Sequence, residues 1–173
     1  MDAAELRAMV REVPDFPRPG INFYDVTTLL QNPAGLRGAV ACMVAPYRDA
    51  GIEVVAAIES RGFIFGAPIA AELGCGFVPV RKPGKLPAAT LRQEYSLEYG
   101  SDAVEIHRDA VRAGQRVLVV DDLLATGGTM AATCQLLERL QASISGLSFL
   151  IELCSLGGRA RLGRYSVTAV IQC

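Results

Sequence analysis

Asp121 and Asp122 stand side by side after four apolar residues, Val117-Leu118-Val119-Val120, and are soon followed by Ala125-Thr126-Gly127-Gly128-Thr129. Paired carboxylates accept hydrogen bonds and offer none when ionised, which suits them to sugar hydroxyls. A run of small residues with two glycines lets backbone N–H groups close on an anion, and a helix behind it adds the positive end of its dipole. A phosphate below and a hydroxyl-bearing sugar above describe a ribose 5-phosphate. A second constellation, Glu59-Ser60-Arg61-Gly62, follows another apolar run, Val54 to Ile58. Its turn can present backbone N–H groups and a guanidinium to a second anion. A third group is basic: Arg81, Lys82 and Lys85 lie in a stretch rich in proline and glycine.

These groups need a frame. The mostly β-branched run Val117–Val120 reads as a strand buried on both faces, with the acids where it emerges and an apolar-periodic helix over Met130–Leu140. Open α/β sheets bind ligands at such strand ends. Val54–Ile58 repeats the pattern, with a helix to Leu73 closed by Gly74. No Gly-Lys-Ser or Gly-Lys-Thr occurs, so a P-loop nucleotide site is excluded, and a G-x-G-x-x-G dinucleotide loop is absent.

Along the rest of the chain, Asp2 and Glu5 form a capping-box start for a helix over residues 3–12. Pro14 to Gly20 then forces an irregular path. Ile21–Val26 reads as a short strand or an ordered loop, with Phe23 either facing a flat ligand or plugging the core. Asn32-Pro33 caps a helix over Ala34–Ala50, with Gly51 after it. Phe77–Arg81 is a strand that Pro79 marks as an edge or a bulged one. Lys82–Thr90 cannot pack and is expected to be mobile. Gln93–Tyr99 and Ala103–His107 alternate apolar and polar residues and read as a hairpin, so loop and hairpin together resemble a lid over an anion. His107, the single histidine, falls outside every cluster and reads as structural or exposed. Ile144–Leu153 and Tyr165–Ile171 are further strands, the last at an edge, with a turn and short helix from Gly157 to Leu162. Strands alternating with helices predict an α/β fold with a central, mainly parallel, twisted sheet.

At 173 residues, 51% hydrophobic and 20% charged, the chain is expected to form one globular domain. A net charge of −1 argues against a nucleic-acid or membrane-surface binder. The acidic N-terminus is no signal peptide, and the longest charge-free run, Leu123–Leu137, is too short to span a bilayer. The five cysteines are scattered and read as buried thiols in a reducing cytosol, so the expected location is cytoplasmic.

The run from Asp121 to Thr129 resembles the donor motif of the type I phosphoribosyltransferase family. The resemblance extends over nearly the whole chain: Phe16-Pro-Arg-Pro-Gly20, Asp25-Val-Thr-Thr-Leu-Leu30, Glu59-Ser-Arg-Gly-Phe63, Arg81-Lys-Pro-Gly-Lys-Leu-Pro87, Tyr95-Ser-Leu-Glu-Tyr-Gly100 and Glu152-Leu-Cys-Ser-Leu-Gly-Gly-Arg159 are similar, in that order, to the adenine-using branch. It implies that residues 1–173 form one domain, with 1–30 as a small N-terminal hood carrying the base site and 82–107 as a flexible lid. It implies transfer of a phosphoribosyl group from phosphoribosyl pyrophosphate to adenine, giving AMP and pyrophosphate, with Mg²⁺ held mainly by donor and water near Asp121 and Asp122. The ribose phosphate would lie on Asp121, Asp122 and Ala125–Thr129. The pyrophosphate would meet Glu59, Ser60, Arg61, Arg81, Lys82 and Lys85, with a cis peptide in the Glu59–Arg61 turn. The base would meet Asn22, Phe23 and Tyr24, through main-chain hydrogen bonds and ring stacking. Tyr24 stands where many members carry Arg. Glu98, Tyr99 and Arg61 are the implied catalytic residues, Glu98 handling a purine proton. A homodimer is implied. Transfer to another base and a non-catalytic donor sensor of the same fold are the alternatives.

Overall fold

A computed structural model describes residues 1–96 and 100–173. Five parallel strands form the central sheet: β3 (Val54–Ile58), β4 (Gly76–Val80), β7 (Arg116–Leu124), β8 (Ser143–Glu152) and β9 (Val167–Gln172), in the order β4-β3-β7-β8-β9. Two short antiparallel pairs flank it. One is β1 (Arg11–Pro14) with β2 (Asn22–Asp25), and the other is β5 (Thr90–Ser96) with β6 (Ser101–His107). The helices are α1 (Ala3–Ala8), α2 (Thr27–Gln31), α3 (Pro33–Val44), α4 (Arg61–Leu73), α5 (Gly128–Arg139) and α6 (Gly158–Arg161).

The period of two in the buried strands divides the core into two layers. Val55 and Ala57 of β3, with Leu118 and Val120 of β7, pack on one face against Val40 and Val44 of α3 and Phe65 and Ile69 of α4. Val54, Ala56 and Ile58, with Val117 and Val119, face Met130, Leu136 and Leu137 of α5 and Val104 and Ile106 of β6. Apolar runs without alternation thus become strands covered on both sides, as expected. Pro79 lies in edge strand β4, and β9 forms the other edge.

Several boundaries differ from expectation. The capping box of Asp2 and Glu5 is present, but the helix ends at Ala8 rather than at residue 12. Residues 11–14 instead pair with β2, from Arg11 opposite Asp25 to Pro14 opposite Asn22. Asn32 caps α3, its side chain accepting from Ala34 N–H at 2.9 Å and Gly35 N–H at 3.1 Å, a cap of about 1 kcal/mol. That helix stops at Val44 rather than at Ala50. Pro46 has no N–H for the ladder, and a 3-10 turn over Ala45–Tyr47 follows. The thiols are not uniformly buried. Cys134, on the inner side of α5, is buried and pushed up to about 12, whereas Cys154 is exposed and Cys42, Cys75 and Cys173 are intermediate. All five are free.

The loop after β4 is hydrogen-bonded to neighbouring elements. Glu59 accepts from Lys82 N–H at 3.0 Å, Glu105 from Gly84 N–H at 3.1 Å, and His107 Nε2 from Ala88 N–H at 3.4 Å. Proline and glycine content could not disclose these carboxylate and imidazole anchors, because their partners lie far along the chain. No described helix is long and apolar enough to cross a membrane.

Candidate active site

The site forms where β7 outruns its neighbour. The β3–β7 ladder ends at the pair Ala57–Val120, while β7 remains paired with β8 through Leu124 opposite Glu152. Asp121 and Asp122 are therefore inside the strand, not beyond it, and β8 holds their backbone rigid. On the other side β3 has turned into Glu59-Ser60, joined by a cis peptide, and into α4. A pocket of about 290 Å³ opens between the two strand ends, walled by Glu59, Ser60, Arg61, Lys82, Asp121 and Asp122. Gly62 makes the approach possible, since a Cβ there would lie 2.8 Å from Asp121 Oδ1 and 3.1 Å from the Val120 carbonyl.

Arg61 Nε donates to Asp122 Oδ2 at 2.8 Å. Asp122 is 4% exposed, so burial pushes its carboxyl above the ordinary range while Arg61 pulls it back. Burial and the adjacent Asp122 charge raise Asp121 well above the ordinary carboxyl value of 3.8. Asp121 Oδ1 also accepts from Asp122 N–H at 2.9 Å. Two carboxylates held this close have a strong demand for positive charge or donated hydrogen bonds.

Asp121 and Thr129 also line a second, smaller space of about 90 Å³ formed with Ala125, Thr126, Gly127 and Gly128. Gly127 precedes α5 at φ +77°, a conformation that favours glycine. The run from Ala125 is braced from behind by the turn into α6. A Cβ on Gly158 would lie 2.2 Å from the Ala125 carbonyl oxygen, and one on Gly127 would lie 2.9 Å from the Gly158 carbonyl oxygen. Buried Glu152 fixes that brace. Arg159 donates to it through Nε at 2.9 Å and Nη2 at 2.5 Å, and through Nη1 to the Val167 carbonyl at 2.7 Å.

A third cavity, about 430 Å³, is lined by Val13, Phe16, Phe23, Asp25 and Arg61. Phe16 and Phe23 meet edge to face at 5.2 Å, and the Arg61 guanidinium lies 5.7 Å from the Phe23 ring centre. Phe23 thus walls a cavity. The Asn22 and Tyr24 side chains do not line it. Alternation along β2 turns them to the other side, where Asn22 Nδ2 donates to Glu12 at 2.7 Å and Tyr24 packs under Arg7.

The basic loop divides similarly. Lys82 reaches the pocket wall, paired with Asp102 and donating to Tyr95 Oη at 2.9 Å. Burial draws the ammonium down, but those two partners outweigh it and raise Lys82, while Lys82 lowers Asp102. Arg81 is matched to Glu59 at 2.7 Å and lies beside the pocket without lining it. Lys85 is exposed, and its carbonyl accepts from Arg81. Glu98 and Tyr99 lie outside the described residues. Sequence reasoning met Gly62, Gly158 and Tyr95 only as members of motifs, without a role of their own, and did not single out Asp102. The two glycines carried a signal in the motifs Ser60-Arg61-Gly62 and Gly157-Gly158, whereas nothing marked Asp102 among the polar residues of an alternating strand.

Among the described residues no three His, Cys, Asp or Glu side chains are grouped to hold a metal ion. Two carboxylates at a pocket wall, one engaged by Arg61, fit a hard divalent cation that arrives with phosphate oxygens and water, not one caged by protein.

The family model for the phosphoribosyl transferase domain matches residues 25–160. An adenine phosphoribosyltransferase of Acaryochloris marina is 59% identical over 97% of this chain and 99% of its own length. The crystal structure of adenine phosphoribosyltransferase from Thermoanaerobacter pseudethanolicus gives a TM-score of 0.94 at 49% identity over 99% of both chains. The Saccharomyces cerevisiae structure, complexed with D-2,5-dideoxy-2,5-imino-altritol 1,6-bisphosphate and adenine, gives 0.92 at 39% identity over 97% of both chains. With matching fold, matching length and this degree of identity, the chain belongs to the phosphoribosyltransferase family and, within it, to the adenine phosphoribosyltransferases.

Proposed function

We propose that this chain transfers the 5-phosphoribosyl group of phosphoribosyl pyrophosphate to adenine, forming AMP and pyrophosphate in purine salvage. One observation carries the reading: the three cavities adjoin in a row, each sharing a wall with the next. Arg61 walls both the aromatic cavity and the acid pocket, and Asp121 and Thr129 wall both the acid pocket and the glycine cradle. Flat base, reacting sugar carbon and 5-phosphate would occupy them in that order.

The bond from C1 of the ribose to the pyrophosphate oxygen breaks, a bond from C1 to the purine nitrogen forms, and that nitrogen loses its proton. Positive charge develops on the sugar ring and negative charge on the leaving group, so positioning and fixed charges dominate the catalysis. Asp121 and Asp122 hold the ribose hydroxyls and set negative charge beside the developing cation. Ser60, Arg61 and Lys82 receive the pyrophosphate, while Glu59, Arg81 and Lys85 form its outer border. Backbone N–H groups over Ala125–Thr129 take the 5-phosphate. Phe23 stacks on the base, and the β2 backbone near Asn22 supplies hydrogen bonds to its edge. Mg²⁺, when bound, adds positive charge at the departing oxygens. A panel of purine and pyrimidine bases with labelled donor tests the assignment. Saturable AMP formation with adenine supports it, and turnover only with a 6-oxopurine overturns the choice of base.

Glu98 is proposed to take the purine proton, with Tyr99 beside it, as the family resemblance implies. Glu98→Gln is expected to lower kcat by about a hundredfold with little change in donor KM. An unchanged rate would assign the proton to another group. Residues 82–107 are proposed to close over the donor as a lid, so donor plus Mg²⁺ suppresses proteolytic nicking between Lys82 and Arg92. Equal cutting with and without them argues against closure. A cytoplasmic homodimer is proposed on the resemblance, and light scattering at working concentration reads its mass.

A further inference from the structure

Lys82 is the one basic side chain of its loop at the pocket wall, and its ammonium is not free to wander. It is paired with Asp102 and donates to Tyr95 Oη, while Tyr95 Oη itself donates to Asp102 Oδ2 at 3.1 Å. Tyr95 and Asp102 are direct cross-strand partners in the β5–β6 hairpin, so the two acceptors are set by strand register. Both oxygens of Asp102 are engaged, since its Oδ1 accepts from Ala103 N–H at 2.7 Å. The Lys82 backbone is fixed independently, its N–H donating to Glu59 Oε2 at 3.0 Å. Lys82 is thus clamped at both ends, by the first turn of the site and by the hairpin. An ammonium has three N–H donors, and the clamp occupies two.

We propose that Asp102, assisted by Tyr95, is a positioning residue: it holds the Lys82 ammonium at the pocket wall with one N–H left for the pyrophosphate of the donor. This rests on the functional reading above. Without the clamp the four-carbon stem of Lys82 samples many rotamers, and binding must order it each time. The cost falls equally on ground and transition states, so it appears in donor KM and not in kcat. Neither hairpin residue touches the aromatic cavity, so affinity for adenine is untouched.

Initial rates of the full chain with Mg²⁺, adenine and phosphoribosyl pyrophosphate test this through a double-mutant cycle of Asp102→Asn and Lys82→Ala. Asp102→Asn is expected to raise the donor KM and the inhibition constant of pyrophosphate roughly five- to tenfold, the scale of one hydrogen bond, with kcat and adenine KM unchanged. In the Lys82→Ala background the same substitution should add almost nothing. Tyr95→Phe, which keeps the ring and the carboxylate, should give a smaller rise in the same direction and serves if Asp102→Asn folds poorly. An unchanged or lowered donor KM in an active Asp102→Asn enzyme overturns the clamp, as does a full effect that persists without Lys82. A wild-type chain that makes no AMP overturns the functional reading and the clamp with it, and is distinguishable from failure of the clamp alone.

Discussion

Asp121→Asn combined with Asp122→Asn is expected to lower AMP formation by roughly two to three orders of magnitude, the scale of losing fixed charge beside a charged transition state, while the chain still folds. The fold should survive because the strand segment is held by its pairing to β8 and because Asn keeps a side-chain carbonyl able to accept from residue 122 N–H. Asp121→Asn alone should also melt higher than wild type at neutral pH. Folding raises the Asp121 carboxyl above its ordinary 3.8, so the folded state prefers the proton. Such a group stabilises the fold at pH below the ordinary value, and that contribution disappears as pH rises through the folded value. At neutral pH the ionised pair is a strain on the fold that Asn relieves, and the gain should fade as the pH is lowered toward 3.8. Melting curves against pH, beside steady-state rates, read both effects. Wild-type-like turnover in the double variant would remove the sugar-clamp role.

Gly158→Ala should have the next largest effect, at a residue that lines none of the three cavities of the site. Its Cβ would lie 2.2 Å from the Ala125 carbonyl oxygen and 2.8 Å from Leu124 Cδ1. A backbone carbonyl cannot rotate aside as a side chain would, so the start of the glycine cradle must shift. Overpacking of this kind costs about 1–3 kcal/mol of stability. The shift also misaligns N–H groups whose use depends on position, so donor KM should rise at least tenfold, by analogy with small misplacements near reacting groups. Adenine KM should stay near wild type. Unchanged donor KM in a folded Gly158→Ala protein would show that α6 does not set the cradle.

The difference between those two predictions reflects what a sequence discloses. Val54–Ile58 and Val117–Val120 are local patterns, and apolar residues at every position leave little choice but a strand covered on both faces. The two strand–turn–helix units and the edge position of Pro79 were legible for the same reason. Asp121 and Asp122 were visible as a pair, but their place inside β7 depends on how far β8 extends. Helix ends went astray where a later element competed: β2 recruits residues 11–14, and Pro46 ends α3 early. Phe23 faces the aromatic cavity while the Asn22 and Tyr24 side chains alternate to the other side of β2, a division that the resemblance did not specify. The brace of Gly158 behind Ala125, and the clamp of Asp102 on Lys82, join segments distant in the chain. No periodicity encodes such meetings.

The central claim is that the turns after β3 and along β7 grip opposite ends of one activated sugar. A crystal structure of the full chain soaked with phosphoribosyl pyrophosphate and Mg²⁺ tests it most directly. The expected result is the 5-phosphate seated on the backbone of Ala125–Thr129, the ribose hydroxyls on Asp121 and Asp122, and the pyrophosphate against Ser60, Arg61 and Lys82. Donor density elsewhere on the chain, with the Ala125–Thr129 cradle vacant, would contradict it.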